Sequence, residues 1–305
     1  MAKMQSNDPE APTRLTTFDQ YRSLLFSVAY RMLGSVADAE DMLQETFIRW
    51  QQVPDEEIRS PRAFLVTIIS RMCINHLQSA RVQREEYPGQ WLPEPIVTGP
   101  GSDPLEIICV DESLSMAFLV MLERLTPVER AVFLLREIFE YKYTEIAGVL
   151  AQSEANCRQI LSRAKLRINA MRPRFKTSQR KKSALLEGFL KATSSGDMEE
   201  LIAVLSSDAV LHSDSGGKAI AVPNVIHGAS KVAQGILGGL GKLVPKTLVS
   251  RLALVNGDPG VVSYLNGRPY SVLALQADEG GIDAIFIVTN PDKLTHIPGL
   301  PADAN

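Results

Sequence analysis

Cysteine and long apolar runs are scarce in this chain of 305 residues. The three cysteines, Cys73, Cys109 and Cys157, are odd in number and show no CxxC spacing. We therefore expect no disulfide framework, no metal site and no cofactor. No stretch of about 18 uncharged apolar residues is present, so no membrane span is expected. The first 17 residues also lack the apolar core of a signal peptide. Together these absences predict a protein of the reducing cytoplasm.

Positive charge is concentrated in one short stretch. The whole chain has a formal net charge of −3, but residues 144–182 hold ten Lys and Arg against two Asp and Glu, a net charge of +8. Clustered cations neutralise phosphates, and such a cluster is the usual electrostatic sign of nucleic-acid binding. The acidic average of the chain therefore does not exclude DNA as a partner.

Hydrophobic periodicity divides the chain into helical and mixed parts and predicts a multidomain fold. Apolar residues recur three and four positions apart over 18–85 and 112–175, which predicts two all-α domains. Between them, residues 86–111 contain five prolines and three glycines and are expected to form an extended linker. Residues 183–297 start with helical patterns and continue with about four Val-rich antiparallel strands, an α+β pattern. Tails are expected at the two ends, residues 1–17 and 298–305.

The strongest motif is a helix-turn-helix within residues 126–170. Thr126 and Glu129 have the spacing of a capping box that starts its first helix. Thr144 is expected to cap the second helix, and Ser153 the third. The outward face of the third helix has the residue types that read base edges and bind phosphates. These DNA-binding candidates are Glu154, Asn156, Arg158, Gln159, Ser162, Arg163 and Lys165.

Three segments resemble the extracytoplasmic-function (ECF) sigma factors of bacterial RNA polymerase. YTEIAGVLAQSEANCRQILSRAKLRI (143–168) is similar to the family's fourth conserved region, which reads the promoter −35 element. AYRMLGSVADAEDMLQETFIRW (29–50) is similar to the second region, and PRAFLVTIISRMCINHLQSARVQ (61–83) to the part that opens and holds the −10 element. The resemblance implies two partners, promoter DNA and core polymerase, the latter through its β′ clamp helices and β flap.

The first helical domain, three to four helices, is thereby assigned two surfaces. An acidic helix edged by aromatic rings suits a basic protein partner and is assigned to core polymerase. Its candidates are Asp38, Glu40, Asp41, Gln44, Glu45, Phe47 and Trp50. A basic helix can follow a DNA strand and is assigned to the −10 element. Its candidates are Arg62, Arg71, Asn75, His76, Arg81 and Arg84. In this family the loop before that helix holds a flipped base; here residues 54–60 include three acids, so the base pocket stays unassigned.

The part beyond residue 175 resembles the SnoaL-like (NTF2-like) cone fold. Three motifs resemble the SigJ-type subgroup, in which such a domain is fused: WLPEP (91–95), SDSGGK (213–218), similar to DGGGK/R, and NPDKL (290–294). In that subgroup the extension is thought to replace a separate anti-sigma factor. We therefore expect it to pack on the linker and to set the relative position of the two DNA-binding domains. The residues assigned to these contacts are Trp91, Leu92, Pro93, Asp214, Gly216, Gly217, Lys218, Asn290, Pro291, Asp292 and Lys293.

Two other functions compete with a sigma factor. A ligand-sensing helix-turn-helix regulator that works without core polymerase would not need the acidic helix at 38–50. An enzyme with a DNA-binding appendage would need a buried acid–base pair. Side chains of the required types are Asp208, His212, Asp214, Tyr264 and Tyr270, but they form no catalytic motif. We therefore assign no catalytic residue, and the sequence leaves open a small-molecule ligand for this domain.

Overall fold

A computed structural model describes residues 13–54, 58–85, 87–98, 114–169, 177–240 and 245–300. Some features predicted from the sequence lie outside these residues. They include the acidic loop residues 55–57, Cys109, most of the tails, and the side chains of Arg81 and Arg84.

The first domain is three helices, α1 (Arg14–Leu33), α2 (Val36–Gln52) and α3 (Pro61–Glu85). The expectation of a tail to residue 17 is wrong at its end, because Thr13 caps α1 and the helix begins at Arg14. α1 ends at Gly34, whose φ of +69° is the left-handed conformation that glycine adopts without a Cβ penalty. Ser35 then caps α2, so one residue pair turns the chain between the two helices.

Within the described residues 114–169, the second helical domain has four helices, with the expected helix-turn-helix at its end. α5 begins with the predicted capping box, in which Thr126 and Glu129 bond to each other's backbone N–H. Thr144 does not cap α6: the Glu145 carboxylate accepts from Lys142 N–H (2.7 Å), so the helix starts earlier. Ser153 caps the recognition helix as predicted, accepting from Asn156 N–H at 3.2 Å. The bounds are α4 (Met116–Leu122), α5 (Pro127–Phe133) with a π-helical turn (Leu134–Ile138), α6 (Tyr143–Leu150) and α7 (Glu154–Asn169).

The C-terminal part has the predicted α+β order, helices first and then a sheet. Its helices are α8 (Gln179–Ser195), α9 (Met198–Val204) and α10 (Ala229–Gln234), the last continued by a π-helical turn (Gly235–Leu240). Its strands are β2 (Leu205–Asp214), β3 (Ile226–His227), β4 (Val249–Val255), β5 (Asp258–Leu265), β6 (Arg268–Asp278) and β7 (Gly281–Val288). A 3₁₀ turn follows (Pro291–Leu294).

The sheet departs from the sequence prediction in two ways. Its order is β1-β4-β5-β6-β7-β2-β3, where β1 is Val97–Thr98, and β2 runs parallel to β7, so the strands are not all antiparallel. Only β4 to β7 follow one another through tight turns; β2 reaches β7 from the helical side, and no hairpin sets its direction. The linker also contributes an edge strand, β1 (Val97–Thr98), which pairs with β4.

Three apolar cores hold the molecule together. One core is shared by the two helical domains, with Leu65 and Ile69 of α3 in the same cluster as Ile146 and Val149 of α6. A second lies between α8 to α10 and the inner face of the sheet. A third covers the outer face of the sheet and includes Leu92 of the linker and Met116 of α4. The linker and the second helical domain therefore cover the outer face of the sheet.

Candidate functional site

The recognition helix α7 presents a polar face to solvent. Its inner side buries the four predicted residues, Cys157, Ile160, Leu161 and Ala164, together with Ile168. On the outer side, Gln159, Ser162 and Arg163 are exposed. Other candidates make contacts within their own domain: Arg158 pairs with Glu154 at 2.7 Å, Asn156 bonds to Gln152 at 2.7 Å, and Lys165 pairs with Glu137 at 2.8 Å. All seven predicted residues thus share one accessible surface.

Part of the basic face of α3 is in contact with the second helical domain. Arg71 donates from Nε to the Val149 carbonyl (2.7 Å) and from Nη2 to the Gly148 carbonyl (3.1 Å). These carbonyls are in the last turn of α6, where they lack helical partners and attract a cation. The Arg62 guanidinium lies 5.0 Å from the centroid of the Tyr141 ring. Two side chains predicted to hold DNA therefore contact protein in this arrangement.

The acidic helix α2 carries the predicted polymerase surface, with one correction. Trp50 is 3% exposed, and its indole N–H donates to the Arg14 carbonyl (3.2 Å), so it belongs to the core and not to a docking surface. Phe47 is half-buried, and its ring centroid is 4.9 Å from that of Phe18. Three candidates pair within the domain: Glu40 with Arg22 (3.1 Å), Glu45 with Arg49 (2.7 Å) and Asp38 with His76 (3.7 Å).

What α2 offers to a partner is a narrow exposed strip. Asp41 and Gln44 are exposed, and Ile48 follows one turn later on the same face with 48% exposure. The sequence analysis missed Ile48, although the spacing of four residues from Gln44 would have placed it there. An apolar residue next to acids is the composition expected of a small protein-binding surface.

The linker contacts the C-terminal domain at a buried carboxylate, Asp214 at the end of β2. Asp214 is 0% exposed, and its carboxylate accepts four hydrogen bonds. The donors are Tyr87 Oη (2.6 Å), Leu92 N–H (2.8 Å), Gly216 N–H (3.0 Å) and Lys293 Nζ (2.7 Å). We call Tyr87, Trp91, Leu92, Asp214, Asn290 and Lys293 the linker cluster. Because the carboxylate has both an ion-pair partner and neutral donors, its charge is compensated inside the protein.

Lys293 joins the three predicted motifs at this cluster. Besides pairing with Asp214, its ammonium donates to the Leu92 carbonyl and lies 4.2 Å from the Trp91 ring centroid and 5.2 Å from that of Tyr87. Asn290 donates to Tyr87 Oη at 2.8 Å. Two aromatic faces and two oxygens thus enclose one cation. WLPEP, SDSGGK and NPDKL thus meet in one place.

The remaining predicted regulatory residues surround this cluster. Lys218 pairs with Asp292 across the surface, and both side chains are exposed. Gly216 and Gly217 have positive φ of 57° and 72°. A Cβ on Gly216 would lie 2.6 Å from Asn290 Nδ2, so this turn needs glycine for space as well as conformation. Pro93 is buried and Pro291 is exposed.

Glu94, which the sequence analysis quoted within WLPEP but did not single out, connects the first helical domain to the C-terminal domain. Its buried carboxylate accepts from Val36 N–H (2.6 Å) at the start of α2, where helix N–H groups favour an anion. Its backbone accepts from Tyr30 Oη (2.6 Å), which in turn accepts from Asn256 Nδ2 (2.8 Å) in the C-terminal domain. His296 Nδ1 lies 3.1 Å from the same carboxylate.

The acid–base candidates of the C-terminal domain do not act as one group. Asp214 is fully engaged in the linker cluster, Tyr264 is buried in the outer core, and Tyr270 is half-buried on β6. Asp208 and His212 line one cavity on the outer face of the sheet. Within the described ranges, no group of three or more His, Cys, Asp or Glu is placed to hold a metal ion, and no helix is long and apolar enough to cross a membrane.

Comparison with protein families agrees with the two helical domains. The Sigma-70 region 2 model matches residues 17–82, and the Sigma-70 region 4 model matches residues 115–168. Two sigma regions in this order, one of them ending in a helix-turn-helix, define an initiation factor of the sigma-70 class. We refer to α1–α3 as region 2 and to α4–α7 as region 4.

Relatives extend this assignment to the whole chain. The chain is 38% identical to the ECF RNA polymerase sigma factor SigJ of Mycobacterium tuberculosis, over 93% of this chain and 94% of that protein. It is 32% identical to a probable ECF sigma factor, SigI, of the same organism, over 95% and 97% of the two chains. The crystal structure of SigJ from that organism matches with a TM-score of 0.74 and 34% identity, over 92% of this chain and 98% of that chain. This chain therefore belongs to the ECF RNA polymerase sigma factors, and the predicted sigma-factor resemblance is confirmed.

Proposed function

We propose that this sigma factor holds itself in a closed form, in which region 4 covers part of the −10 surface, and that its C-terminal domain fixes that form through the linker. The observation that carries the proposal is the contact of Arg71 with the last turn of α6. A side chain directed at DNA in one region is bound to the other region. The shared apolar core places this contact inside a broad interface.

Promoter geometry supports an opening step. The −10 and −35 elements are separate stretches of one duplex, in which each base pair adds about 3.4 Å along the axis. In the closed form α3 and α6 are in direct contact. A region 4 bound to α3 is too close to reach the −35 element while region 2 holds the −10 element. Active binding to a promoter therefore requires the two regions to separate.

The linker cluster is well placed to control that separation. The linker is tied to the C-terminal domain at Asp214 and Lys293, and Glu94 ties it to the start of α2. On the other side, α4 of region 4 packs on the outer face of the same sheet. Each region thus has its own contact with the C-terminal domain. In the proposed function this domain is an internal regulator that takes the place of a separate anti-sigma factor. It has no enzymatic role.

In the open form each region would use a different surface. The strip of Asp41, Gln44 and Ile48 on α2 would bind the β′ clamp helices of core polymerase. Region 4 would contact the β flap, and the exposed face of α7 would read the −35 element. The Arg62 and Arg71 side chains of α3, released from α6, would bind the −10 strand.

The test loosens the linker cluster and measures the distance between the regions. We replace Lys293 by Met in the full chain and attach spin labels at Gln20→Cys on α1 and Leu166→Cys on α7, two exposed positions. Cys109 is replaced by Ser, and the buried Cys73 and Cys157 are kept. Loss of about 1.4 kcal/mol of closing energy raises the open-to-closed ratio tenfold. The label distances should lengthen, and run-off transcription with core polymerase should rise.

Lys191→Met is the matched control, because it removes an exposed lysine paired with Glu200 on the same domain but away from the linker. It should change neither distance nor transcription. If Lys293→Met keeps a folded chain with the short label distance and unchanged transcription, and Trp91→Ala does the same, the closed form is not controlled by this cluster and the proposal is wrong.

A further inference from the structure

A cavity of about 560 Å³ lies between region 4 and the outer face of the sheet. Helix α4 supplies one wall through Ala117, Val120 and Met121, which are spaced as one helical face. Strands β2, β6 and β7 supply the other wall. The volume is in the range of about 300–1,000 Å³ that small-molecule sites occupy. Because α4 belongs to region 4, the cavity is complete only while region 4 rests on the C-terminal domain.

The sheet wall carries a buried amide without a partner. Gln276 of β6 is 3% exposed, and neither its Nε2 nor its Oε1 has a hydrogen-bond partner among the described residues. In the same row of the sheet, the residues next to Gln276 are Ala284 of β7 and Val210 of β2, whose side chains are apolar. All three residues line the cavity. A buried polar group without a partner costs free energy, and a ligand that bonds to this amide recovers that cost.

The amide of Gln276 selects one kind of hydrogen-bonding group. Its NH₂ donates and its carbonyl oxygen accepts, so the matching group has an acceptor and a donor side by side. A carboxamide or a lactam has this pair on one edge. The match is the same for both orientations of the amide, because exchange of Nε2 and Oε1 only exchanges the two bonds. The Ser206 hydroxyl also lines the cavity and is unpartnered within the described part of the chain, so it can add a third bond.

His212 adds a flat surface to the same wall. Its ring stacks on Phe286 with ring centroids 5.2 Å apart and an interplanar angle of 10°, and both side chains line the cavity. Burial, with smaller effects of His227 and Arg124, lowers the pKa of His212 to about 4, so the ring is neutral near pH 7. Planar rings stack with an offset on such a surface. The wall thus combines an amide with an aromatic face, a combination that fits a flat ligand.

We propose that this cavity binds a flat carboxamide or lactam compound through Gln276, and that the bound compound holds region 4 against the C-terminal domain. The first part depends on the cavity and its unpartnered amide. The second part rests on the closed form proposed above. A ligand that contacts both walls binds the closed form better than the open form, and it shifts the equilibrium by that difference. The bound compound would therefore lower transcription.

The first test compares two probes of one shape, benzamide and acetophenone. Both are uncharged and have a carbonyl oxygen, but acetophenone has a methyl group in place of the amide NH₂. Because the two probes have the same charge, the comparison isolates the hydrogen-bonding group. Binding to the full chain is measured by isothermal calorimetry and saturation-transfer NMR. We expect benzamide to bind at least about tenfold more tightly than acetophenone.

Substitution of Gln276 shows whether this amide makes the distinction. Gln276→Met keeps the length of the side chain and breaks no hydrogen bond of that side chain within the described residues. It should remove the preference for benzamide, because neither probe then has a polar partner at that position. Gln234→Met, at an exposed position of α10, is the matched control and should leave the preference unchanged. The ratio of the two affinities within each variant is insensitive to a general change in binding.

Three results would overturn the site. The first is no detectable binding of benzamide by either method, and the second is equal binding of the two probes. The third is a preference for benzamide that survives in Gln276→Met.

The second test adds core polymerase. If the closed form is correct, polymerase and benzamide should compete, and the methyl NMR signal of Met121 on α4 should move when benzamide binds in the absence of polymerase. Binding of benzamide that depends on Gln276 but is unaffected by polymerase would support the site and overturn its link to closing. A Met121 signal that does not move would overturn that link as well, because the ligand would then not touch region 4.

Discussion

The molecule joins its parts through two contacts of different chemistry. Region 2 and region 4 share one apolar core, to which polar groups such as Arg71 add bonds at the edge. The linker and the C-terminal domain meet instead around an ion pair of the fully buried Asp214 and the largely buried Lys293, with hydrogen bonds to the linker backbone. The first contact is wide and non-directional, whereas the second depends on a few atoms in fixed positions.

The difference shows at which of the two contacts a single residue can have the larger effect on the arrangement of the domains. Apolar packing tolerates substitution of similar volume, and its energy is spread over many side chains. A buried ion pair behaves in the opposite way, because removal of one partner leaves an uncompensated charge. A change at one residue of the linker cluster should therefore affect the linker more than a single change affects the interface of the two regions. Each prediction below tests this contrast, beginning with the largest expected effect.

Replacement of Asp214 by Ala should give the greatest loss of stability. It leaves the Lys293 ammonium without its carboxylate and removes the acceptor of Tyr87 Oη and Leu92 N–H. We expect a loss of about 3–5 kcal/mol in the free energy of unfolding, measured by urea titration of the full chain. Asp208→Ala is the control on the same strand; its side chain is exposed, and the loss should stay within about 0.5 kcal/mol. Equal losses for the two variants would contradict the contrast.

Gly34 offers a smaller test of how the linker rests on region 2. Its φ is +69°, and an added Cβ would lie 2.7 Å from Cη2 of the Trp91 indole. Gly196 ends α8 with a similar φ of +72°, but there an added Cβ meets nothing within 4 Å. Both Gly→Ala changes carry the left-handed backbone cost of about 1 kcal/mol, and only Gly34→Ala must also displace Trp91.

The informative quantity is the difference between the two alanine variants. We expect Gly34→Ala to lose about 1 kcal/mol more than Gly196→Ala in urea unfolding, and to lengthen the distance between the regions measured with spin labels. If the two variants are equally destabilised, Trp91 is free to move and does not position the linker against region 2.

The features that the sequence predicted are those with local causes. The capping box of Thr126 and Glu129 and the Ser153 cap depend on residues three positions apart. Four of the five buried positions of α7 were predicted, and they follow from helical periodicity alone. The meeting of the three motifs was also predicted, but through family resemblance, since no local rule relates Leu92 to Asp214 over 122 residues.

The features that the sequence missed depend on distant partners. Trp50 has the composition of a docking residue, yet its indole is buried because α1 begins early enough for Arg14 to cover it. The parallel β2–β7 pair and the linker strand β1 arise from long-range pairing that alternation of apolar residues does not encode. Glu94 was overlooked since an acid in a proline-rich segment is usually solvated, and its partners on α1, on α2 and beyond the last strand are remote.

The smallest expected effect is on the pH dependence of the free energy of unfolding. It tests the contact of the linker with the C-terminal domain, because His212 of the sheet contacts Gln90 of the linker. Burial lowers the pKa of His212 to about 4 from an ordinary value of 6.5, so between these values the unfolded chain binds a proton that the folded chain excludes. His212 therefore favours folding fully above pH 6.5, and this contribution declines as pH falls toward 4. Because the ring is partly solvated, we expect about 1 kcal/mol between pH 7 and pH 5. His212→Gln, which cannot titrate, should lose this part of the pH dependence in urea unfolding. His227→Gln, at an exposed position, removes only a smaller cause of the lowered pKa of His212 and should retain most of it. If the stability of the two variants depends on pH with the same slope, the His212 ring can be protonated in the folded chain. Protonation would then not weaken the contact of the linker residue Gln90 with the C-terminal domain.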